Sequence, residues 1–578
     1  MSWDHLPTEL RSEIVSYLEL PRVDRDCLWA PQEFLDNRSA LRNLCLASRS
    51  TAAEARPWLY RRIILYIDGD DVDFSISSPA LKVDRHVNMS ELPKVPYAGP
   101  DSMVQLIRTL IHNPHLRTYI KYVACPFSLS DIPPSSYTEQ LEFDMKMMCS
   151  SWKRHAHEFT DTSGVERRIL DMAGLSVPLL NTPSCDRAEE VGENDGMPLE
   201  HEDKMEEVPQ RLISVLLCLL PEVDTLLLQS CDRRPSEVTN RIITQCLKDE
   251  KIASSVLPKL TTLDLRVHQL RWKRMRERDA IPFDAVYALL HLPTLRHIAT
   301  WQDDGFASFF EIHRPQQNGV AAFIDSYGVL DNVMQRPRNS HREWLPKIET
   351  MSLTTAGYHC SYFYAACEMS TSLRRLTLDV IDVNRGGHFK SEFHSDATLN
   401  TSLLLRAETL EELRLGHFSY KHNHIGGSGQ LTHLPSMKKL HTLNIEMHML
   451  FGPYERIQQL SLPDLLPPNL ERLELGDVWS HGFNDPRGHM DPLSIDWYPE
   501  ALAGQLKKLA EAARPTRGDQ RSMLPKLCSV HLRPHHLCLR SRWLLGSSCV
   551  ISSNCCVRSG LCLLMSCHLM MDIQGNIE

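Results

Sequence analysis

Cysteine and histidine residues near the C-terminus are the groups in this sequence whose types and proximity come closest to a chemical site. Residues 535–578 contain six of the 17 cysteines and only five charged residues. A looser group in a loop-like segment consists of His417, His422 and His424. Thiolates and imidazoles are the usual ligands of zinc, and the C-terminal candidates are Cys549, Cys555, Cys556, Cys562, Cys567 and His568. Since neither group has the spacing of a known zinc motif, we predict no metal ion and no cofactor.

The sequence motifs of phosphate binding and of catalysis are absent from the chain. It has no G-x-x-x-x-G-K-[ST] loop, no G-x-G-x-x-G after a predicted strand, no H-E-x-x-H and no G-x-S-x-G. A glycine-rich run at residues 426–429 (GGSG) lacks the lysine that a phosphate loop needs. We therefore predict a binding protein that is not an enzyme, and keep a hydrolase within the C-terminal region as an alternative.

The composition is that of a soluble protein with more than one domain. The 578 residues are 42% hydrophobic and 24% charged, whereas one domain usually needs only about 100–200 residues. The net charge of −10 and the lack of a long basic cluster argue against nucleic acid as a partner. The most basic run, residues 271–278 (RWKRMRER), is better explained as the solvated face of a helix.

The sequence also argues against a membrane partner. The apolar runs at residues 212–220 and 561–571 are shorter than the roughly 18 residues that span a bilayer. The first ten residues lack the basic and apolar regions of a secretory signal. We expect an intracellular protein of the cytoplasm and/or nucleus.

An amphipathic helix is predicted at the N-terminus. Pro7 suits the first helical position, because its missing N–H would be unpaired there, and Pro21 ends the pattern. Tyr17 lies beside the apolar stripe. Apolar residues that recur every four positions form that stripe, at Leu6, Leu10, Ile14 and Leu18.

Two further helical patterns follow a spacer. The spacer, residues 21–38, is rich in charges and prolines, and the second pattern covers residues 41–48. The third lies around residues 52–55, before Pro-Trp-Leu-Tyr at 57–60 and a β-prone run at 63–65. The simplest reading of these patterns is a small helical bundle that caps the rest of the chain.

The order of these elements and their residue types resemble the F-box. The resemblance covers LPTELRSEIVSYL (6–18) and LRNLCLASRSTAAEARPWLYRRIIL (41–65). It has the opening Leu-Pro-x-Glu-Leu, the Leu-Cys-x-x-Ser-Arg helix and the closing Pro-Trp-Leu-Tyr of that family. The sequence departs from the family in its longer spacer and in Ser50 and Thr51, which replace an aromatic residue.

The resemblance implies a three-helix module that docks on a Skp-family adaptor and, through it, on a cullin. A few apolar anchors that enter a groove would dominate such an interface. Matching positions place the adaptor contacts at Leu6, Pro7, Leu10, Ile14, Leu18, Leu44, Cys45, Trp58 and Leu59.

A short phrase with the core L-x-x-L-x-L recurs in the rest of the chain. Its central residues are 25 to 57 positions apart, whereas regular leucine-rich repeats have about 20–29 residues. Helical stripes at residues 212–219 and 283–290 precede two copies. The pattern resembles an irregular leucine-rich repeat, and a non-repeating α/β domain is the alternative. The copies are LPEVDTLLL (220–228), LPKLTTLDL (257–265), LPTLRHIAT (292–300), LPKIETMSL (345–353), SLRRLTL (372–378), TLEELRL (409–415), KLHTLNI (439–445), NLERLEL (469–475) and LPKLCSVHL (524–532).

Each phrase predicts a strand whose leucines are buried and whose alternate residues lie on the opposite, concave face. Their mixed charges suit recognition of a protein surface, and we expect a protein substrate to bind there. The predicted substrate-binding residues are Thr262, Asp264, Arg266, Arg375, Thr377, Asp379, Glu412, Arg414, Asn444, Glu446, Arg472 and Glu474.

The predicted organisation is α+β overall, with a three-helix F-box followed by an irregular leucine-rich-repeat-like α/β solenoid. Its parts are the F-box (1–66), a linker (67–100), the substrate-binding region (101–534) and a divergent Cys-rich tail (535–578) that we expect to be disordered or artefactual. Within the third part, residues 186–207 hold ten acidic and two basic residues, which predicts a disordered insertion. Two functions fit: the substrate-recruiting subunit of an SCF-type ubiquitin ligase, or a repeat scaffold outside any ligase.

Overall fold

The chain divides into two compact units, Met1–Phe309 and Phe310–Glu578. The structure, a computed structural model, describes part of each unit. The described residues are 3–22, 32–65, 100–128, 151–152, 154–155, 164–175, 208–230, 237–267, 289–290, 292–301, 347–355, 367, 370–380, 400, 403–416, 430–451, 454–476, 498–513, 523–533 and 549–552. The predicted linker and the acidic insertion lie outside them, apart from Pro100.

Three helices begin the first unit: α1 (Thr8–Ser16), α2 (Gln32–Ala47) and α3 (Arg49–Arg61). Helix α1 ends at Ser16, well before Pro21, and Pro7 is its N-cap residue. The predicted spacer is wrong at its C-terminal end, because residues 32–38 are already helical. Phe34 and Leu41 are buried and lie two turns apart on one face of α2. The charged residues between them interrupt the apolar pattern, so the sequence did not predict a helix there.

A capping box forms the corner between α2 and α3. The Thr51 N–H donates to Ser48 Oγ at 3.1 Å, and the Ser48 N–H donates to Thr51 Oγ1 at 3.0 Å. The Thr51 hydroxyl in turn donates to the Leu44 carbonyl at 2.7 Å, which joins the two helices. Thr51, which departs from the F-box pattern, therefore has a structural role here.

Five parallel strands follow in sequence order in the first unit. They pair so that Ile63, Val123, Leu226, Leu263 and Ile298 lie side by side, and we call this line the central row. The strands are β1 (Arg62–Ile64), β2 (Tyr122–Ser128), β3 (Thr225–Ser230), β4 (Thr262–Val267) and β5 (His297–Trp301).

Helices precede several of these strands in the sequence. They are α4 (Pro100–His112), α5 (Val165–Met172), α6 (Val208–Cys218) and α7 (Glu237–Lys248). Short 3-10 helices cover Pro114–Tyr119 and Ala253–Ser255, and another, Trp3–His5, precedes α1. The predicted helical stripe at residues 212–219 lies mostly in α6; of the stripe at 283–290, only 289–290 are described, and they are helical.

In the described part of the second unit there are six parallel strands, whose central row is Met351, Leu376, Leu413, Leu443, Leu473 and Val530. A seventh strand, β12, pairs antiparallel with β11. These strands are β6 (Thr350–Thr355), β7 (Arg375–Val380), β8 (Glu412–Gly416), β9 (Thr442–Glu446), β10 (Arg472–Gly476), β11 (Ser529–Arg533) and β12 (Cys549–Ser552). Strand β12 comes from the predicted tail, whose other residues lie outside the described ones.

The second unit also contains helices α8 (Met447–Phe451) and α9 (Tyr498–Ala513), and 3-10 helices at Leu434–Ser436, Tyr454–Ile457 and Leu462–Leu465. The buried Gln505 side chain fixes α9 to the preceding segment. Its Oε1 accepts the Leu462 N–H at 2.9 Å, and its Nε2 donates to the Leu460 carbonyl at 2.8 Å.

The recurring phrase has the same backbone pattern in both units. A carbonyl just before one strand accepts two N–H groups from the start of the next, as Glu349 does from Arg374 at 2.8 Å and Arg375 at 3.0 Å. A leucine in the turn that precedes the strand, such as Leu373 or Leu440, is fully buried. Each of the nine phrases contains a strand, so the predicted strands are confirmed.

Candidate partner-binding surfaces

The N-terminal helices share one hydrophobic core with the first strands. The strand residues in this core follow the central row by one position, or precede it by one at Tyr122, and so lie on the opposite face of the sheet. The buried members are Val15, Leu20, Phe34, Leu41, Ala55, Ile64, Tyr122, Ala124 and Leu227. Helices α1 to α3 therefore cover one face of β1–β3, and in β3 this is the face that the repeat phrase predicted to be concave and exposed.

Polar contacts join the segment that follows α1 both to α2 and to the sheet. Arg62 Nη2 on β1 lies 2.5 Å from Glu19 Oε1, and the Asn37 amide donates to the Glu19 carbonyl at 3.2 Å. Burial lowers the pKa of Arg62, and the Glu19 carboxylate opposes that shift. The Arg22 guanidinium lies 5.8 Å from the Tyr122 ring centroid. Because α3 also passes into β1 without an intervening loop, the N-terminal helices and the sheet form one packed body.

Exposed apolar side chains remain on the outer side of these helices. Leu10 and Ile14 are each 45% exposed, Tyr17 is 78% exposed and Leu46 is 76% exposed. Arg11 Nη1 donates to Ser50 Oγ at 2.7 Å and so ties α1 to the α2–α3 corner, close in sequence to Leu46. We call Leu10, Ile14, Tyr17 and Leu46 the outer apolar set.

The predicted adaptor contacts divide into two groups. Leu10 and Ile14 are exposed, as is Pro7, and Leu6 is half-buried. The other five pack partly against the shared core, namely Leu18, Leu44, Cys45, Trp58 and Leu59. Burial raises the pKa of the Cys45 thiol.

Two strongly exposed residues, Tyr17 and Leu46, were missing from the predicted contacts. Leu46 follows the buried Leu41 by five residues, which places it about 140° away around the helix at 100° per residue. The five-residue spacing between Leu41 and Leu46 could therefore have predicted that Leu46 points outward.

The register brings the predicted substrate residues of the second unit together across neighbouring strands. One line across the strands contains Arg375, Glu412 and Arg472, with Thr442 between the last two. The next line contains Thr377, Arg414, Asn444 and Glu474, and Asp379 and Glu446 lie two residues beyond. The trio Thr262, Asp264 and Arg266 belongs to β4 of the first unit.

The expectation that all these residues are exposed is wrong for three of them. Arg266 is 3% exposed, Asn444 5% and Glu446 1%. Arg266 Nη2 lies 2.9 Å from Asp264 Oδ2, so this arginine is turned toward a carboxylate of its own strand. The Glu446 carboxylate lies over Gly476 of the neighbouring strand, where a methyl group would overlap it. An alternating pattern identifies a face of the sheet but not what covers it.

Charges on the exposed part of this surface are matched across strands. Arg375 Nε lies 3.5 Å from Glu412 Oε1, and Arg374 Nη1 lies 3.6 Å from Glu411 Oε1. Arg472 Nε donates to Thr442 Oγ1 at 3.2 Å. Exposed pairs of this kind stabilise a fold by only about 0–1 kcal/mol, so they can exchange partners with an arriving protein surface at little cost.

The Cys and His residues that were weighed as zinc ligands and rejected lie outside the described residues, apart from Cys549 in β12. Within the described ranges, no group of three or more His, Cys, Asp or Glu side chains is placed to bind a metal ion. Among the helices that the structure describes, none has both the length and the apolar character needed to cross a membrane.

No protein-family model matches the chain, and no curated protein matches it. The residues themselves and their packing are therefore the basis for a function.

Proposed function

We propose that the chain is the substrate-recruiting F-box subunit of an SCF-type ubiquitin ligase, a non-catalytic protein of the cytoplasm and/or nucleus. Helices α1 to α3 bind the Skp-family adaptor and, through it, a cullin. The strands and their preceding helices form an irregular leucine-rich-repeat solenoid, which presents a protein substrate.

The outer apolar set is the observation that supports adaptor binding most directly. These four side chains, three on α1 or α2 and Tyr17 at the C-cap of α1, are exposed, whereas Val15, Phe34 and Leu41 of the same helices are buried in the shared core. Leaving large apolar groups in water is unfavourable by roughly 25 cal/mol per Å² relative to burial. A groove that accepts Leu10, Ile14, Tyr17 and Leu46 would gain that energy, which is how apolar anchors dominate helix-in-groove interfaces.

The strand pattern supports the solenoid. All nine phrases have a strand in the same register relative to the phrase, and the shared carbonyl pattern joins successive copies within each unit. The ion-paired residues of β7 and β8, with the polar residues beside them on β9 and β10, form the surface that we assign to the substrate.

Replacing Leu10 and Ile14 together with Asp tests the adaptor contact. We expect the double variant to lose co-purification with the adaptor and cullin by at least about tenfold, since buried interface charges cost several kcal/mol. The matched control is Leu404→Asp with Leu405→Asp, because these leucines are 48% and 40% exposed in the second unit. Equal adaptor capture by wild type and the Leu10/Ile14 variant, or none by the intact protein, would disprove the proposal.

One observation favours the alternative of a scaffold outside any ligase. Helices α1 to α3 cover the start of the first sheet, which is also what a terminal cap of a repeat array does. The two functions differ in one measurement. A scaffold would capture its protein partner without adaptor or cullin, and the Leu10/Ile14 variant would leave its complexes unchanged.

A further inference from the structure

The residues at the N-terminal ends of β1 to β4 carry more positive than negative charge. Backbone hydrogen bonds join them across the strands: the Lys121 N–H donates to the Arg61 carbonyl at 2.9 Å, and the Asp224 N–H donates to the Lys121 carbonyl at 2.9 Å. Lys259 lies in the turn before β4, at the position that Glu222 has before β3. We call the following residues the basic edge: Arg22, Arg61, Arg62, Lys121 and Lys259, with the carboxylates Glu19, Glu222 and Asp224.

One carboxylate of the basic edge is shared by two lysines. Glu222 Oε2 accepts from Lys121 Nζ at 2.5 Å and from Lys259 Nζ at 2.7 Å. The hydrogen bonds from these lysines lower the pKa of Glu222, so its side chain is an anion. A single carboxylate balances only one of the two ammonium groups, and the pair keeps one positive charge.

A second carboxylate, that of Glu19, is shared by two arginines. Its Oε1 lies 2.5 Å from Arg62 Nη2 and 3.9 Å from Arg61 Nε. A third guanidinium, that of Arg22, lies 5.8 Å from the ring centroid of Tyr122, the residue that pairs with Arg62 in the sheet. Burial lowers the pKa of Arg62, and the charges of Arg22 and Arg61 lower it further, as expected of like charges that lie close together. This end of the basic edge also has more cations than anions.

The cations of the basic edge are accessible to a partner. The side chains of Arg61, Lys121 and Lys259 are 44%, 37% and 59% exposed, whereas that of Glu222 is 22% exposed. The edge holds five cations and three carboxylates, although the whole chain has a net charge of −10. Because exposed ion pairs add little to stability, a carboxylate of a partner can replace Glu222 beside the lysines at small cost.

We propose that the basic edge binds an acidic segment of a protein partner, whose aspartate or glutamate side chains pair with Arg61, Lys121 and Lys259. Strands β1 to β4 are about 4.8 Å apart and so span roughly 14 Å, which an extended peptide crosses in about four to five residues. Nucleic acid fits this edge less well, because the edge is short and the chain as a whole is acidic. The proposal does not rest on the ligase function, and the substrate surface assigned above belongs to the other unit.

The test is fluorescence anisotropy of a labelled oligoglutamate peptide, titrated with the full chain. A peptide of about eight residues crosses the four strands with a margin. We expect saturable binding that weakens as salt is added. Lys121→Glu with Lys259→Glu should weaken it by at least about tenfold, because like charges across an interface repel. Lys121→Arg with Lys259→Arg should retain binding.

The matched control is Lys438→Glu with Lys439→Glu. Both lysines are exposed, and Lys439 lies before β9 at the position that Lys259 has before β4. This variant makes the same change of net charge in the second unit, and we expect it to bind the peptide as wild type does.

A variant with the opposite effect excludes loss of folding as the explanation. Glu222→Gln removes the carboxylate that competes with the peptide for both lysines, and we expect binding to become tighter by about threefold or more. Glu471→Gln makes the same change of net charge directly before β10 and should leave the affinity unchanged.

The proposal is wrong if the double glutamate variant at Lys121 and Lys259 binds the peptide as wild type does, or if Glu222→Gln does not tighten binding. Tighter binding of a single-stranded RNA of equal charge would assign the edge to nucleic acid instead. The acidic segment 186–207 of the chain itself is the other occupant to exclude. If replacing its Asp and Glu residues by the amides tightens peptide binding as Glu222→Gln does, that segment fills the edge and the assignment to a partner is overturned.

Discussion

The same position of the strand ladder is apolar at the start of the first unit and polar throughout the second. In β1–β3 the residues after the central row are Ile64, Ala124 and Leu227, and helices α1 to α3 pack on them. In the second unit the equivalent line is Ser352, Thr377, Arg414, Asn444, Glu474 and His531. Backbone hydrogen bonding is alike in both units, so the two regions differ in the side chains at this position, which are apolar and packed under helices in β1–β3 and polar in β6–β11.

Charging the covered face should have the largest effect. Leu227→Asp places an unpaired carboxylate in the shared core, and we expect it to lower the free energy of unfolding by about 3–5 kcal/mol. Hydrogen exchange should show α1 to α3 losing protection first, because their contact with β3 is lost.

The matched control is Thr377→Asp, at the same position of the ladder in the second unit. Because that line is already polar, we expect a change within about 0.5 kcal/mol. If thermal unfolding and hydrogen exchange show equal damage in the two variants, the contrast between the two faces is wrong.

A substitution beneath the buried Glu446 side chain of the second unit should have an intermediate effect on stability. Gly476→Ala pushes a methyl group into the Glu446 carboxylate, and overpacking of this kind costs about 1–3 kcal/mol. Gly504 on α9 has open space around it, so Gly504→Ala should stabilise the protein by up to about 1 kcal/mol through helix propensity. Urea unfolding of both variants measures the difference. A harmless Gly476→Ala would mean that Glu446 is free to move away.

The smallest expected effect is the difference in stability lost when an ion pair is removed beside the helix-covered face of the first unit or on the polar face of the second unit. Glu19→Gln removes the pair with Arg62, whose side chain is only 14% exposed, and we expect a loss of about 1 kcal/mol. Glu412→Gln removes the more exposed pair with Arg375 and should cost no more than about 0.5 kcal/mol. If the Glu19–Arg62 pair is shielded from solvent, added salt should reduce the difference in unfolding free energy between the two variants only slightly. A difference that vanishes in high salt would show that the Glu19–Arg62 pair is exposed to solvent.

The sequence predicted the strands better than the surfaces. The phrase L-x-x-L-x-L was enough for β3 to β11, because alternating leucines leave one buried face whatever the spacing between copies. It missed β2, where Tyr122, Val123 and Ala124 replace the leucines. The start of α2 was hidden by the charged residues between Phe34 and Leu41.

Side-chain surroundings were the part that periodicity could not supply. Arg266 and Glu446 occupy the alternating positions of their strands but are buried by tertiary contacts. The packing of α1 to α3 against β1–β3 joins residues far apart in sequence, and no local pattern encodes that contact. Adaptor and substrate binding stay predictions.

The carbonyl that accepts two N–H groups from the start of the next strand, seen for β3–β5 and β7–β11, also restricts where proline can occur. Both donors, for example Glu411 and Glu412 or Glu471 and Arg472, must keep their amide protons, and proline has none. The chain has 35 prolines, and none occupies a donor pair among the residues that the structure describes. Several instead follow the first leucine of a phrase, as Pro258, Pro293 and Pro525 do. Side chains at the donor positions can thus vary in charge and size while the backbone hydrogen bonds between successive strands stay the same.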